Sequence, residues 1–260
     1  MNQEKVFDTI INYDISGSGQ TLLFIHGAYL SKDEWVYQQD FFSKYFQVVC
    51  VDLPGHGGSG KLPFYSIEVM ADYIAGLLEN LGLSPCFVCG HSLGGMVAQA
   101  LTLQHPELIR RLVLAETSYG VKSNPVEAFL TALTMPILKR VSIENQTEMF
   151  ANQMGRQSVE TKAYVARDII KHAADHDNYN RIWDATVNFA GKDKLKTIAC
   201  PTLIIVGEKN KQTHQQAKVM KSLIPNAELV YIESAGHMVN MDNPEAFNNA
   251  ALRFLQSKVQ

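Results

Sequence analysis

The chain has no long apolar run. Nothing in it approaches the roughly 18 consecutive apolar residues that a membrane-spanning helix needs, so no such segment is expected. Charge excess is missing too. Lys and Arg number 23 against 26 Asp and Glu, and the formal net charge of −3 is too small to draw nucleic acid non-specifically. The opening MNQEKVFDTI lacks the basic-then-apolar layout of a secretory leader. There is no internal repeat and no low-complexity tract, and a hydrophobic share of 46% excludes extended disorder. These absences leave the expectation of a cytoplasmic globular chain. Its 260 residues suffice for one large domain or a core with an insertion.

Cysteine is scarce. Of the four, Cys86 and Cys89 form a C-x-x-C, which raises a redox or metal reading. The pair lies inside CFVCG, an apolar run expected to be a buried strand, where residues three apart point to opposite faces. No second cysteine pair completes a zinc site. They read as unreactive core residues.

What is abundant is an alternation of short apolar, β-branched runs with longer helical stretches. Strands are expected at 6–15 (a hairpin pair), 21–26, 46–52, 86–90, 111–116, 202–208 and 228–234. Several are apolar throughout, as in a parallel sheet covered on both faces. Ser66 caps a helix whose Ile67, Met70, Ile74, Leu77, Leu78 and Leu81 share one face, ended by Gly82. Asn243 caps another, with Pro244 at its first position. The fold class is therefore α/β: a mostly parallel sheet of about eight strands with helices on both faces.

The alternation stops between residues 119 and 195, about 75 residues with no strand, too long for a simple crossover. Helix starts do occur there, such as Asn124-Pro125 with Glu127 three residues on. Further helical runs follow at 142–154, 158–175 and 178–190. The expected organisation is a core of residues 1–118 and 196–260 with an all-helical cap at 119–195.

Gly90-His91-Ser92-Leu93-Gly94 sits between a strand and a helix. A G-x-S-x-G there is a nucleophile elbow, with glycines because the turn leaves no room for side chains beside the serine. His26-Gly27-Ala28 ends an early strand, so the Ala28 and Leu93 N–H groups are the candidate oxyanion donors. Gly236-His237 follows the last strand, which matches the order Ser, acid, His. His172 and His176, spaced i, i+4, superficially resemble a metal pair but read as a solvated helix face. Gly55 to Lys61 mimics a phosphate loop, yet Leu62 lacks the hydroxyl and Pro63 blocks helix entry.

Together, Gly90–Gly94, His26-Gly27, Asp52-Leu53-Pro54-Gly55-His56-Gly57-Gly58-Ser59 and Gly236-His237 resemble the α/β-hydrolase fold family over nearly the whole chain outside 119–195. The likeness is nearest to small esterases and lactonases that include the enol-lactone hydrolases. It implies a cofactor-free, metal-free hydrolase acting on a small molecule through Ser92, His237 and an acid. Aspartate-nucleophile members are set aside, because Ser92 implies acyl-enzyme chemistry.

The acid is the departure. Where family members usually carry Asp, Gly207-Glu208-Lys209-Asn210 has an amide. Glu116, one strand earlier, is the favoured substitute, Glu208 ranks below it, and Asp242 reads as a helix-start residue. Ester or lactone hydrolysis is the leading expectation. C–C hydrolysis, perhydrolysis and a non-catalytic ligand-binding role stay open. Tyr119, Phe129, Leu133, Met135, Ile137, Phe150, Met154, Tyr164 and Trp183 are candidates for lining a mainly apolar pocket. Oligomeric state has no signal in the sequence.

Overall fold

The computed structural model describes residues 2–122, 125–172 and 175–257. Strands β1 (Asn2–Val6), β2 (Thr9–Ser16), β3 (Thr21–Ile25), β4 (Gln47–Val51), β5 (Cys86–His91), β6 (Ile109–Ala115), β7 (Thr202–Gly207) and β8 (Ala227–Ile232) form one sheet. Its spatial order is β1-β2-β4-β3-β5-β6-β7-β8. β1 and β2 run antiparallel to their neighbours, and the rest are parallel.

The edge hairpin lies earlier than its sequence pattern indicates. It spans β1 and β2 and turns at Phe7-Asp8, with Phe7 at φ 50°. β1 is mostly solvated, so it shows no apolar alternation to read. The inner strands β3 and β7 are buried at every position, which explains their unbroken apolar runs.

Helices α1 (Val36–Phe42), α2 (Ile67–Asn80) and α3 (Leu93–Gln104) interleave with the first strands. Then α4 (Pro125–Leu138), α5 (Ile143–Met154), α6 (Val159–His172) and α7 (His176–Asn188) all fall between β6 and β7. The chain closes with α8 (Lys211–Leu223), α9 (Val239–Asp242) and α10 (Pro244–Gln256). Ser66 accepts Val69 N–H at 3.1 Å and Asn243 accepts Ala246 N–H at 3.2 Å, as their cap positions require. Asn124 lies outside the described residues, as do the side chains of Glu127 and His172.

Two apolar clusters sandwich the sheet. Leu23, Ile25 and Val88 pack with Ile74, Val97 and Met220 on one face, while Leu22, Phe24 and Cys89 pack with Phe42, Phe247 and Phe254 on the other. Cys86 belongs to the first cluster and Cys89 to the second, so the C-x-x-C spacing straddles the sheet. The phosphate-loop mimic is a turn tied down by the buried Asp52. Its carboxylate accepts Lys32 N–H at 2.7 Å, Gly58 N–H at 2.8 Å and the Asn12 amide at 2.7 Å. His172 ends α6 and His176 opens α7, so the two histidines do not share a helix. Among the described residues, no helix is long and apolar enough to cross a membrane.

Candidate active site

β5 ends at His91 and α3 begins at Leu93, leaving Ser92 alone at the turn with φ 50° and ψ −115°. A non-glycine residue held there stores on the order of 1–3 kcal/mol of strain. The surroundings impose it: Ser92 N–H donates to Ala115 C=O at 3.0 Å, and Thr117 Oγ1 donates to Ser92 C=O at 2.6 Å. The flanking glycines leave no alternative. A Cβ at Gly90 would stand 2.2 Å from Gly94 O, and one at Gly94 would stand 2.1 Å from Ile25 O.

His237 Nε2 lies 3.2 Å from Ser92 Oγ. Behind the ring, Glu116 Oε2 stands 3.6 Å from His237 Nδ1, with the carboxylate fully buried. That is too long for a hydrogen bond but close enough for charge. Asn210 is wedged beside them. Its Nδ2 donates to Glu116 Oε2 at 2.7 Å and sits 3.3 Å from His237 Nδ1. Thr213 Oγ1 donates to the same carboxylate oxygen at 2.9 Å, and Gly207 N–H donates to the other. Glu116 itself has φ 44°, a second strained residue at the same sheet edge. Glu208 is exposed and turned away, paired with Lys209 at 3.2 Å.

Leu93 follows Ser92 and Ala28 shares its cavity, and neither N–H has a protein acceptor among the described residues. Ala28 lines the cavity above Ser92.

Some site residues carry no signal in the sequence. Beneath the elbow, the fully buried His91 and Glu34 pair at 2.6 Å. Glu34 also accepts Gly27 N–H at 2.8 Å, and His91 Nε2 donates to His237 C=O at 2.8 Å. Burial works against a charged His91, but the Glu34 carboxylate and the His237 carbonyl outweigh it and raise its pKa above 6.5. One buried pair thus links three loops. Asp242 does not start a helix as expected. It ends α9 and accepts Gly236 N–H at 2.8 Å, with its pKa raised by burial.

Over Ser92 opens a cavity of about 580 Å³. Phe150, Met154 and Trp183 line it as expected, joined by Tyr29, Leu138 and Met149. Phe129, Leu133 and Ile137 do not; they are exposed at 69%, 59% and 63%. Apolar spacing alone did not tell which face of α4 turns inward. Tyr119 is buried and Tyr164 half-buried, both away from the cavity, and Met135 reaches it only by accepting the Trp183 indole N–H on sulfur at 2.9 Å. The lining is apolar by a small margin only. Arg156, Gln157, Lys209, Asn210, Lys211 and Gln212 line the cavity too.

Comparison with known proteins agrees with this architecture. The chain is 25% identical to (E)-2-((N-methylformamido)methylene)succinate hydrolase of Acinetobacter baylyi, over 95% of this chain and 94% of that one. Among solved structures, a thermophilic esterase from Thermogutta terrifontis superposes with a TM-score of 0.88 at 24% identity, covering 98% of both chains. The enol-lactonase from Burkholderia xenovorans LB400 does so at 0.87 and 22% identity, covering 98% of this chain and 100% of that one. Residues 22–250 match the family model as well. The chain belongs to the alpha/beta hydrolase family.

Proposed function

We propose that the protein is a serine hydrolase that cleaves a small carboxylic ester or lactone through an acyl-enzyme. The observation that carries this reading is the 3.2 Å contact between Ser92 Oγ and His237 Nε2 on the floor of an open cavity. The similarity to a hydrolase of a substituted succinate and to a 3-oxoadipate enol-lactonase supports it.

In the proposed mechanism Ser92 Oγ attacks the carbonyl carbon while His237 Nε2 takes its proton. The Ala28 and Leu93 N–H groups hold the oxyanion, and being backbone they need no reorganisation as charge develops. This requires the His237 tautomer with its proton on Nδ1. Asn210 Nδ2, donating to Glu116, has no lone pair to accept that proton. Glu116 therefore serves as the charge that stabilises the imidazolium, and the contact can tighten once substrate is bound. His237 then protonates the leaving group and activates water for deacylation. The four helices between β6 and β7 act as a cap over the site.

The test is labelling with a fluorophosphonate probe together with a panel of esters of graded chain length. Wild type should label and turn over esters, and Ser92→Ala should do neither. An unreactive Ser92 in folded protein refutes the enzyme reading and favours a ligand-binding member of the fold.

A further inference from the structure

The cavity wall carries two chemistries, aromatic and cationic, and their neighbours tie each to a different part of the proposed reaction. Tyr29 directly follows the oxyanion residue Ala28. Its ring lies 4.7 Å from Phe150 and 5.9 Å from Trp183, an aromatic wall beside the acyl end. The cationic part belongs to His237. Lys211 follows Asn210, whose amide is 3.3 Å from the His237 ring. Arg156 precedes Gln157, which packs so closely on Gly236 that a Cβ there would lie 2.8 Å from Gln157 Cγ. No aspartate or glutamate lines the cavity among the described residues.

The cations are not equivalent. Lys209 is already paired with Glu208 at 3.2 Å. Arg156 and Lys211 form no salt bridge among the described residues, although the charge of Lys211 helps to lower the pKa of Glu208. Lys211 is also placed against its own helix. It opens α8, where the backbone dipole favours an anion, and that first turn holds no acidic residue. Two carboxylates stand behind this wall and both are engaged: Glu116 accepts from Asn210, Thr213 and Gly207, and Asp242 accepts Gly236 N–H at 2.8 Å. With no acidic residue lining the cavity and no salt bridge to Arg156 or Lys211, their positive charge can meet a ligand there.

His237 must deliver its proton to the leaving oxygen, so the alcohol departs past His237, along the cationic part of the wall. Resting on the hydrolase reading above, we propose that the site selects esters whose leaving alcohol carries a carboxylate. Arg156 and Lys211 hold that carboxylate, and an uncharged acyl chain lies on the Tyr29, Phe150 and Trp183 wall. The reaction is hydrolysis: water adds across the acyl–oxygen bond, giving a carboxylic acid and a hydroxy acid.

The experiment uses two matched pairs of substrates. The butyrate ester of 3-hydroxypropanoate is compared with the same molecule as its methyl ester. Monoethyl succinate, with its charge on the acyl side, is compared with diethyl succinate. The expected kcat/KM ratio favours the anionic alcohol about tenfold at low salt, from two exposed ion pairs, and shrinks at 0.5 M NaCl. Charge on the acyl side should bring no gain. Arg156→Gln and Lys211→Gln should each lower the first ratio about threefold, and Lys211→Glu should lower it further. A wild-type ratio of one or less overturns the proposal, as does a ratio that the Arg156→Gln, Lys211→Glu double variant leaves unchanged. Turnover of p-nitrophenyl butyrate separates the two levels. If it proceeds and depends on Ser92, a missing preference defeats the anion site alone. If no ester turns over and Ser92 resists labelling, the hydrolase reading and this one fall together.

Discussion

Glu116→Gln removes one negative charge 3.6 Å from His237 Nδ1 and leaves the side chain's shape intact. At an effective dielectric near 20, a full charge pair at that distance is worth about 4–5 kcal/mol. His237 is 22% exposed, so water recovers part of it when the imidazolium forms. The net loss should be about 3–4 kcal/mol, or roughly 10²–10³-fold in kcat. That is smaller than the roughly 10⁴-fold seen when a directly bonded triad aspartate becomes asparagine, because Glu116 makes no hydrogen bond to the ring. The stronger test is rescue. In the double variant Glu116→Gln, Asn210→Asp, a carboxylate takes the position of the amide, 3.3 Å from Nδ1. The amide introduced at position 116 can donate to it across the present 2.7 Å contact. Activity should return to within about tenfold of wild type. The assay is steady-state hydrolysis of a neutral ester, with circular dichroism to confirm folding. A single-variant loss under threefold refutes the reasoning. So does a double variant no faster than the single one.

Glu34→Gln should lower kcat about tenfold with KM nearly unchanged, because the Gly27 loop and the His237 loop both lose a charged tie. The same change has a signature in stability. His91 binds its proton more tightly folded than unfolded, so its contribution is complete below pH 6.5 and is lost as pH rises through the higher folded value. The melting temperature measured from pH 6 to 9 should fall less steeply in the variant than in wild type. Gly94→Ala should lower the melting temperature by more than about 8 °C or abolish soluble expression, since the clash is with the Ile25 carbonyl rather than a movable side chain. Phe129→Ser with Leu133→Ser should leave melting within about 2 °C of wild type, both side chains being exposed. Trp183→Ala, by contrast, should change the acyl-length preference.

The parts legible in the sequence are those with one steric solution. Gly90, Ser92 and Gly94 state their geometry because only that spacing lets a strand turn into a helix with a serine at the apex. The buried strands announce themselves because both of their faces must be apolar. The parts that were not legible depend on convergence. Glu34 lies 57 residues from His91 in the chain, and nothing local in SKDEW marks it as a partner of the residue before the serine. Nor does the i, i+4, i+8 spacing of Phe129, Leu133 and Ile137 say whether that face of α4 meets the cavity or the solvent. The asparagine at 210 shows where the two kinds of information meet. Read along the chain, it is a lost carboxylate. In the sheet, β6 and β7 are parallel neighbours in register, with Ala115 opposite Ile205. Both strands therefore end at one edge, about 4.8 Å apart. A carboxylate can move from one strand end to the next if its arm is longer by one methylene, which is the difference between aspartate and glutamate. At position 210 an amide has a use that aspartate could not serve, because it donates to Glu116 and holds that charge 3.6 Å from His237.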